Sequence, residues 1–145
     1  MAGPFETLDE ALAEAHRALV AIANGDSSVY LGLFAQREEI TLGNPFGPFG
    51  CGREAVGRNL ANAASKYRDG EVLDVERLAT YASGDIACFV EVEHLRARIG
   101  PGGEFGEGRA RVTTIYERRD GGWSLVHRHA DPITTARGVE SVLTA

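Results

Sequence analysis

The sequence predicts an α+β fold in which three helices cover a curved, mostly antiparallel sheet. Three observations predict this class. Helical spacing of apolar residues is confined to the first half of the chain, four long extended runs fill the second half, and hairpin-sized turns join those runs. A strongly curved sheet with helices across its open side forms a cone with a central pocket. The 145 residues fit one domain, 1–145, with a core at about 7–132 and a short tail at 133–145.

The first half predicts three helices and one short strand. Thr7-Leu8-Asp9-Glu10 has the form of a capping box and starts a helix that Asn24-Gly25 ends. A second, shorter helix follows, and a third is expected from about Arg53 to Lys66. Ile40-Thr41-Leu42 is typical of a short strand. We expect the Gly- and Pro-rich segment from Gly43 to Gly50 to lack regular structure.

The second half predicts four strands joined by turns. The first two run from Glu71 to Tyr81 and from Ile86 to Ile99, with a turn between them. A flexible loop from Gly100 to Gly106 then leads into a hairpin. Asp120-Gly121 is its expected turn, because this dipeptide tolerates the positive φ angles of a tight hairpin.

A regular ladder from this turn pairs Arg119 with Gly122, Thr114 with His127 and Val112 with His129. Side chains alternate across a strand, so one face would form a pocket wall with two imidazoles. That face would carry Val112, Thr114, Tyr116, Leu125, His127 and His129. A shift of the register by one residue would exchange the two faces.

The other face of the hairpin mixes apolar and charged side chains, and it is too apolar for a wholly solvated surface. It would carry Arg109, Arg111, Thr113, Ile115, Val126 and Arg128. We therefore expect a homodimer formed through this face.

Composition excludes several classes of function. The net charge of -6 argues against nucleic acid, which usually requires a clustered basic surface. No run of about 18 apolar residues is present, so no membrane partner is expected. Cys51 and Cys88 have no metal-ligand spacing and form no disulfide framework. A cytoplasmic protein is expected.

Two stretches resemble known families. NGDSSVYLGLFAQREEITLGNPFGPFGCGREAV is similar to the corresponding part of bacterial ketosteroid isomerases, and YERRDGGWSLVHRHAD resembles the closing hairpin of calcium/calmodulin-dependent kinase association domains. Both families belong to the nuclear transport factor 2-like superfamily, together with the SnoaL polyketide cyclases. The resemblance implies a curved sheet, a central pocket and usually a homodimer. It implies no single activity, because the fold hosts many.

The resemblance also argues against one activity. It places Ala18, Asn44 and Thr114 at the positions where the isomerases have a tyrosine, a carboxylate base and a protonated aspartate. An amide cannot accept a proton from carbon at neutral pH. Steroid isomerisation is therefore not expected.

Three residues are candidates for acid/base chemistry. The resemblance to SnoaL cyclases places His129 near their acid/base aspartate, and His127 lies two residues earlier. Either histidine could instead serve hairpin packing. Glu93 could act as an acid or base in the pocket, or it could pair with Arg109 or Arg111. Ligands at 127, 129 and 131 would span about 13 Å on a strand, so neither a metal nor another cofactor is expected.

The remaining candidates would contact a ligand. They are Tyr30, Asn44, Phe46, Glu91, Thr114 and Tyr116. Asn44 and Thr114 could donate hydrogen bonds to a carbonyl. Two hypotheses remain open: an isomerase-, cyclase- or hydrolase-type enzyme acting on a small hydrophobic carbonyl compound, and a non-catalytic ligand-binding or dimerisation module. An unpaired carboxylate in the pocket would favour the enzyme. A glutamate tied to arginine would favour the module.

Overall fold

Three α-helices precede a long run of strands in the computed structural model, which describes residues 2–144. The helices are α1 (Leu8–Ala23), α2 (Ser28–Leu33) and α3 (Arg53–Ala64). The strands are β1 (Thr41–Asn44), β2 (Gly47–Cys51), β3 (Tyr67–Ser83), β4 (Ile86–Ile99), β5 (Glu104–Arg119) and β6 (Gly122–Asp131). A short 3-10 helix, Val139–Val142, lies in the tail.

The strands form one curved, unclosed sheet in the order β2-β1-β6-β5-β4-β3. The pairing of β1 with β6 is parallel, and all the others are antiparallel. The predicted α+β class, with three helices on a mostly antiparallel sheet, is confirmed. The face of the sheet towards the helices is called the inner face below, and the opposite one the outer face.

The ends of α1 hold it across the inner face. Thr7 Oγ1 accepts a hydrogen bond of 3.1 Å from the Glu10 N–H, as the capping box predicts. At the other end, the Asn24 amide donates to the Gly70 carbonyl at 3.0 Å and accepts from the Gly70 N–H at 3.2 Å. A Cβ at Gly70 would lie 2.5 Å from the Ala23 carbonyl oxygen. The close contact between α1 and β3 therefore requires glycine there.

The prediction of an irregular segment from Gly43 to Gly50 is wrong. Strand β1 continues to Asn44, and β2 pairs with it antiparallel after a tight turn at 45–46. Strand β2 is the edge of the sheet. Pro48 lacks a backbone N–H, and an edge strand tolerates this because one of its sides needs no partner.

Other element boundaries differ by a few residues. Strand β3 begins at Tyr67 rather than Glu71, and α3 ends at Ala64 rather than Lys66. Strand β5 begins at Glu104, so the expected loop from Gly100 to Gly106 is shorter. The bounds predicted for the second long strand, Ile86–Ile99, are confirmed.

The hairpin turn is confirmed, but the ladder is not regular. Asp120 and Gly121 have φ values of 53° and 81°, and Arg119 pairs with Gly122. A β-bulge then leaves Val126 without a partner in the ladder, so Ile115 pairs with His127 and Thr114 with Arg128. The predicted pairings of Thr114 with His127 and of Val112 with His129 are wrong.

The extra residue reverses the orientation of every later side chain in β6. Arg128 and Ala130 therefore share the inner face with Thr114, and His127 and His129 lie on the outer face beside Ile115. Val126 packs against the core instead of the outer face. The two faces proposed from the sequence are thus exchanged along half of β6.

Phe49 of β2 covers both histidines on the outer face. Its ring centroid lies 6.2 Å from that of His127 and 5.5 Å from that of His129. Thr41 Oγ1 lies 2.7 Å from His127 Nδ1. Partial burial, together with the neighbouring His129, lowers the pKa of His127. This cluster serves packing between β2, β1 and β6.

Candidate functional site

Three adjoining cavities lie between the helices and the inner face. The entrance chamber, about 660 Å³, is lined by Phe46, Tyr67, Leu95, Ile99, Ala110 and Pro132 among others. The middle chamber, about 100 Å³, is lined by Tyr30, Asn44, Phe46, Leu60, Ala110 and Arg128 among others. The α1 chamber, about 340 Å³, is lined by Leu12, His16, Arg77, Glu91, Thr114 and Tyr116 among others. Glu93 lines all three.

A buried ion pair stands where the chambers meet. Arg128 Nη1 donates to Glu93 Oε2 at 2.8 Å, and Nη2 donates to Oε1 at 2.7 Å. The two side chains are only 11% and 9% exposed. Arg128 Nη1 also donates to Tyr30 Oη at 2.9 Å. Strands β4 and β6 and helix α2 thus contribute one side chain each to a bidentate, charge-assisted cluster.

Arg128 keeps its charge and Tyr30 keeps its proton in this cluster. Burial opposes the charge on Arg128, but Glu93 and the Tyr30 hydroxyl favour it, and the net effect raises the pKa of Arg128. Burial raises the pKa of Tyr30 to about 12, with Glu93 adding to the increase and Arg128 opposing it. The Tyr30 hydroxyl group is therefore neutral. Its oxygen accepts a hydrogen bond from Arg128, and its O–H can donate a hydrogen bond to a ligand.

Glu93 has a different partner from those considered in the sequence. Its pairing with Arg109 or Arg111 is wrong, since Arg128 occupies both of its oxygens. Arg111 pairs with Asp131 at 2.7 Å. That hydrogen bond is the main cause of the lowered pKa of Asp131.

Arg128 is the cavity residue that the sequence reasoning missed. Leu125 and Val126, which precede it on β6, both pack on the core, and this breaks the alternation of a regular strand. Two consecutive apolar residues in a hairpin strand were the one signal for a bulge. Without the bulge, Arg128 would lie on the outer face.

The six residues predicted to contact a ligand all line the chambers. Tyr30, Asn44, Phe46, Glu91, Thr114 and Tyr116 do so. Asn44 Oδ1 accepts from the Phe46 N–H at 3.0 Å, which leaves its amide N–H groups to donate. Glu91 is held by Arg77, with Nε and Nη2 at 2.9 and 2.8 Å from Oε2.

The placement of His127 and His129 in the pocket wall is wrong. Both lie on the outer face, and His129 Nε2 is 3.8 Å from Asp131 Oδ2 there. Of the three candidates for acid/base chemistry, only Glu93 lines a chamber. Within residues 2–144, no group of three or more His, Cys, Asp or Glu side chains could hold a metal ion. No helix in that range is long and apolar enough to cross a membrane.

The geometry limits what Glu93 can do. Both carboxylate oxygens accept hydrogen bonds from a permanent cation, so a ligand meets a neutral pair rather than a free base. Uncommitted N–H and O–H groups of Arg128, Tyr30 and Asn44 face the same space. The site is rich in hydrogen-bond donors and suits an oxygen acceptor surrounded by apolar walls.

Several solved structures have a closely similar fold but a low sequence identity to this chain. A nuclear transport factor 2-like superfamily protein from Salmonella enterica has a TM-score of 0.74 at 18% identity, covering 93% of this chain and 96% of its own. A candidate calcium/calmodulin-dependent protein kinase type II association domain from Thiobacillus denitrificans has a TM-score of 0.73 at 20% identity. The match covers 90% of this chain and 98% of that domain. A ketosteroid isomerase-like protein from Erwinia carotovora atroseptica has a TM-score of 0.71 at 14% identity. The match covers 88% of this chain and 97% of that protein.

These likenesses show a common fold, because the identities are too low to carry function. No curated protein sequence gives a significant match to the chain. A family model for the SnoaL-like domain matches residues 9–134, which span α1 to the end of β6 and the start of the tail. The fold, the cavity and this match lead to one conclusion: the chain belongs to the SnoaL-like domain family.

Proposed function

We propose that the protein binds a small, mostly apolar carbonyl compound in the entrance and middle chambers, with its oxygen near Arg128 and Tyr30. The observation that carries this proposal is the Arg128–Glu93–Tyr30 cluster at the inner end of a mostly apolar space. Lys66, Arg68 and Arg109 line the entrance chamber. The entrance chamber of about 660 Å³ lies within the usual range of about 300–1,000 Å³ for ligand pockets.

Binding is favoured over catalysis by the state of Glu93. Its two oxygens are committed to Arg128, and a general base must have a lone pair within reach of the proton it removes. Acid/base catalysis by Glu93 is the second candidate, and the observation in its favour is that Glu93 lines all three chambers. The ketosteroid isomerase-like neighbour shares the fold, although the sequence resemblance implies Asn44 at the position of the isomerase base.

Blocking the cavity should abolish binding of a test ketone. Ala110 lines the entrance and middle chambers, and Ala110→Trp should fill the space between them. We expect the Kd for 2-acetylnaphthalene to rise at least tenfold, or about 1.4 kcal/mol, in a fluorescence titration. Ala61→Trp, at an exposed position of α3, is the matched control and should leave Kd unchanged. Equal weakening by both changes, or binding unaffected by Ala110→Trp, would contradict the proposal.

A turnover assay separates binding from catalysis. Glu93→Gln retains a side chain of the same shape that cannot transfer a proton. For any ketone that the protein converts, catalysis by Glu93 requires a loss of at least about 100-fold in kcat. A change below about threefold excludes Glu93 as the proton-transfer group.

We further propose that the protein forms a homodimer through the outer face. The bulge changes the composition of this face: Val126 and Arg128 leave it, and His127 and His129 join Ile115 and Thr113. Phe49 is 57% exposed beside the histidines. Half-buried apolar residues on a sheet surface suit an isologous contact between two copies.

Ile115→Arg should convert the dimer to a monomer in light scattering at about 10 μM protein, because each isologous contact would bury two uncompensated guanidinium groups. Leu78→Arg, at a position 57% exposed on the edge strand β3, should leave the mass unchanged. A monomeric mass for the unmodified protein at this concentration would refute the dimer.

A further inference from the structure

The α1 chamber is separated from the entrance chamber by the Glu93–Arg128 pair. Its walls come from α1 on one side and from β3, β4 and β5 on the other. Among the described residues, Glu93 is the only one that lines both chambers. The volume of the α1 chamber, about 340 Å³, lies near the lower end of the usual range for ligand pockets, which begins at about 300 Å³. A ligand in the entrance and middle chambers therefore leaves a second, sizeable space unexplained.

Two buried side chains in the wall of this chamber carry hydroxyl groups that have no hydrogen-bond partner within residues 2–144. Thr114 is 5% exposed and Tyr116 is 1% exposed, and both line the α1 chamber, to which their hydroxyl oxygens stay accessible. A hydroxyl group that lines a cavity without a protein partner takes its hydrogen bond from water or from a ligand. Burial raises the pKa of Tyr116 well above its usual value, with Tyr30 and Glu91 adding to the effect. Tyr116 is therefore always available as a neutral donor.

Arg128 adds donors to the same space. Three of its hydrogen bonds reach Tyr30 and Glu93, and a guanidinium carries five N–H groups. Two N–H groups therefore remain uncommitted among the contacts of the described residues. Together with Thr114 and Tyr116, they present several donors to a chamber that Arg128 also lines.

The charges around the chamber cancel. Arg77 is bound to Glu91, and Arg128 is bound to Glu93. The remaining titratable side chain of the wall besides the tyrosines is His16, which is exposed on α1. An anionic ligand would lie close to two carboxylates, whereas a neutral oxygen can accept from the hydroxyls without disturbing either pair.

We propose that the α1 chamber is a subsite for a neutral hydroxyl or carbonyl oxygen, which Thr114 and Tyr116 bind through their hydroxyl groups. This inference rests on the proposed function and makes it more specific. The ligand is uncharged. Its oxygen lies on the α1 side of the Glu93–Arg128 pair, still beside Arg128 and Tyr30, which line this chamber as well as the middle one. Its apolar part fills the middle and entrance chambers. The two hydroxyls distinguish such a ligand both from a pure hydrocarbon and from a carboxylate.

Four probes with one aromatic body test this subsite: naphthalene, 2-naphthol, 2-acetylnaphthalene and 2-naphthoate. In fluorescence titrations of the unmodified protein, we expect 2-naphthol and 2-acetylnaphthalene to bind at least tenfold more tightly than naphthalene and 2-naphthoate. Thr114→Val/Tyr116→Phe should reduce that preference to below threefold and leave the Kd of naphthalene unchanged. The thermal midpoint of this variant should stay the same or rise, because both substitutions remove hydroxyls that have no protein partner. The single variants Thr114→Val and Tyr116→Phe should each lose part of the preference.

The outcomes separate the two proposals. If naphthalene and its oxygen derivatives bind equally, the cavity binds apolar molecules but the α1 chamber is not an oxygen subsite. Tightest binding of 2-naphthoate, or a preference that survives the double substitution, also overturns the subsite. If none of the four probes binds the unmodified protein, both the subsite and the proposed function fail.

Discussion

Arg128→Met should lower the free energy of unfolding by about 3–5 kcal/mol, which is the usual cost of removing one partner from a buried ion pair. Glu93 would lose its cationic partner in a space where its side chain is only 9% exposed, and the bidentate contact would be gone. Tyr30 would also lose the donor to its oxygen. Urea denaturation at pH 7 and one fixed protein concentration measures the effect, since a dimer makes stability depend on concentration.

Two further variants show whether the loss comes from an unpaired charge. Glu93→Leu/Arg128→Met removes both charges and should recover most of the stability, because apolar residues of similar volume often replace a buried pair without loss. Arg58→Met breaks the exposed pair with Glu54 on α3 and should cost less than about 1 kcal/mol. A loss of similar size in the double variant would show that packing of the Arg128 side chain, rather than charge, stabilises the fold.

Leu125→Ala should lower the free energy of unfolding by about 2–5 kcal/mol, as expected for a large-to-small change in a packed core. Leu125 is fully buried and lies immediately before the bulge. Its carbonyl accepts from the Ala35 N–H at 2.8 Å, and it bridges to Phe34. The substitution leaves these backbone contacts in place and removes side-chain volume from the core cluster that Leu125 shares with Leu33 and Phe34.

Leu78→Ala is the matched control, because the same atoms are removed from a side chain that is 57% exposed. It should change the free energy of unfolding by less than about 0.5 kcal/mol. Equal effects of the two substitutions in urea denaturation would show that Leu125 does not lie in the core.

The elements that were predicted correctly have local causes. The capping box at Thr7 and the stop at Asn24-Gly25 set the bounds of α1, and Asp120-Gly121 sets the hairpin turn. Strand β2 was missed because its proline and two glycines are poor strand formers, and only its place at the sheet edge makes them acceptable. Such a position depends on long-range pairing, which no local pattern reveals.

The site was predicted in part for the same reason. The residues on β4 and β5 were placed in the cavity correctly, because the ladder between these two strands is regular along its whole length. Arg128 and the two histidines were assigned to the wrong faces of the sheet. A single unpaired residue in β6 reverses the orientation of every side chain that follows it. The bulge coincides with the contacts of Leu125 to Phe34 and Ala35. These contacts come from a distant part of the chain.

The bulge at Val126 makes the chemistry of the cavity depend on the length of β6 as well as on its composition. Deletion of His127 alone, with the bulge retained, would move Arg128 to the outer face and bring His129 to the inner position opposite Thr114. One lost codon would exchange a permanent cation for a group that titrates near neutrality. The same deletion would move Ala130 out of the wall of the middle chamber and bring Asp131 to its inner position. Descendants of such a gene could therefore acquire a histidine and a carboxylate in the cavity in a single event.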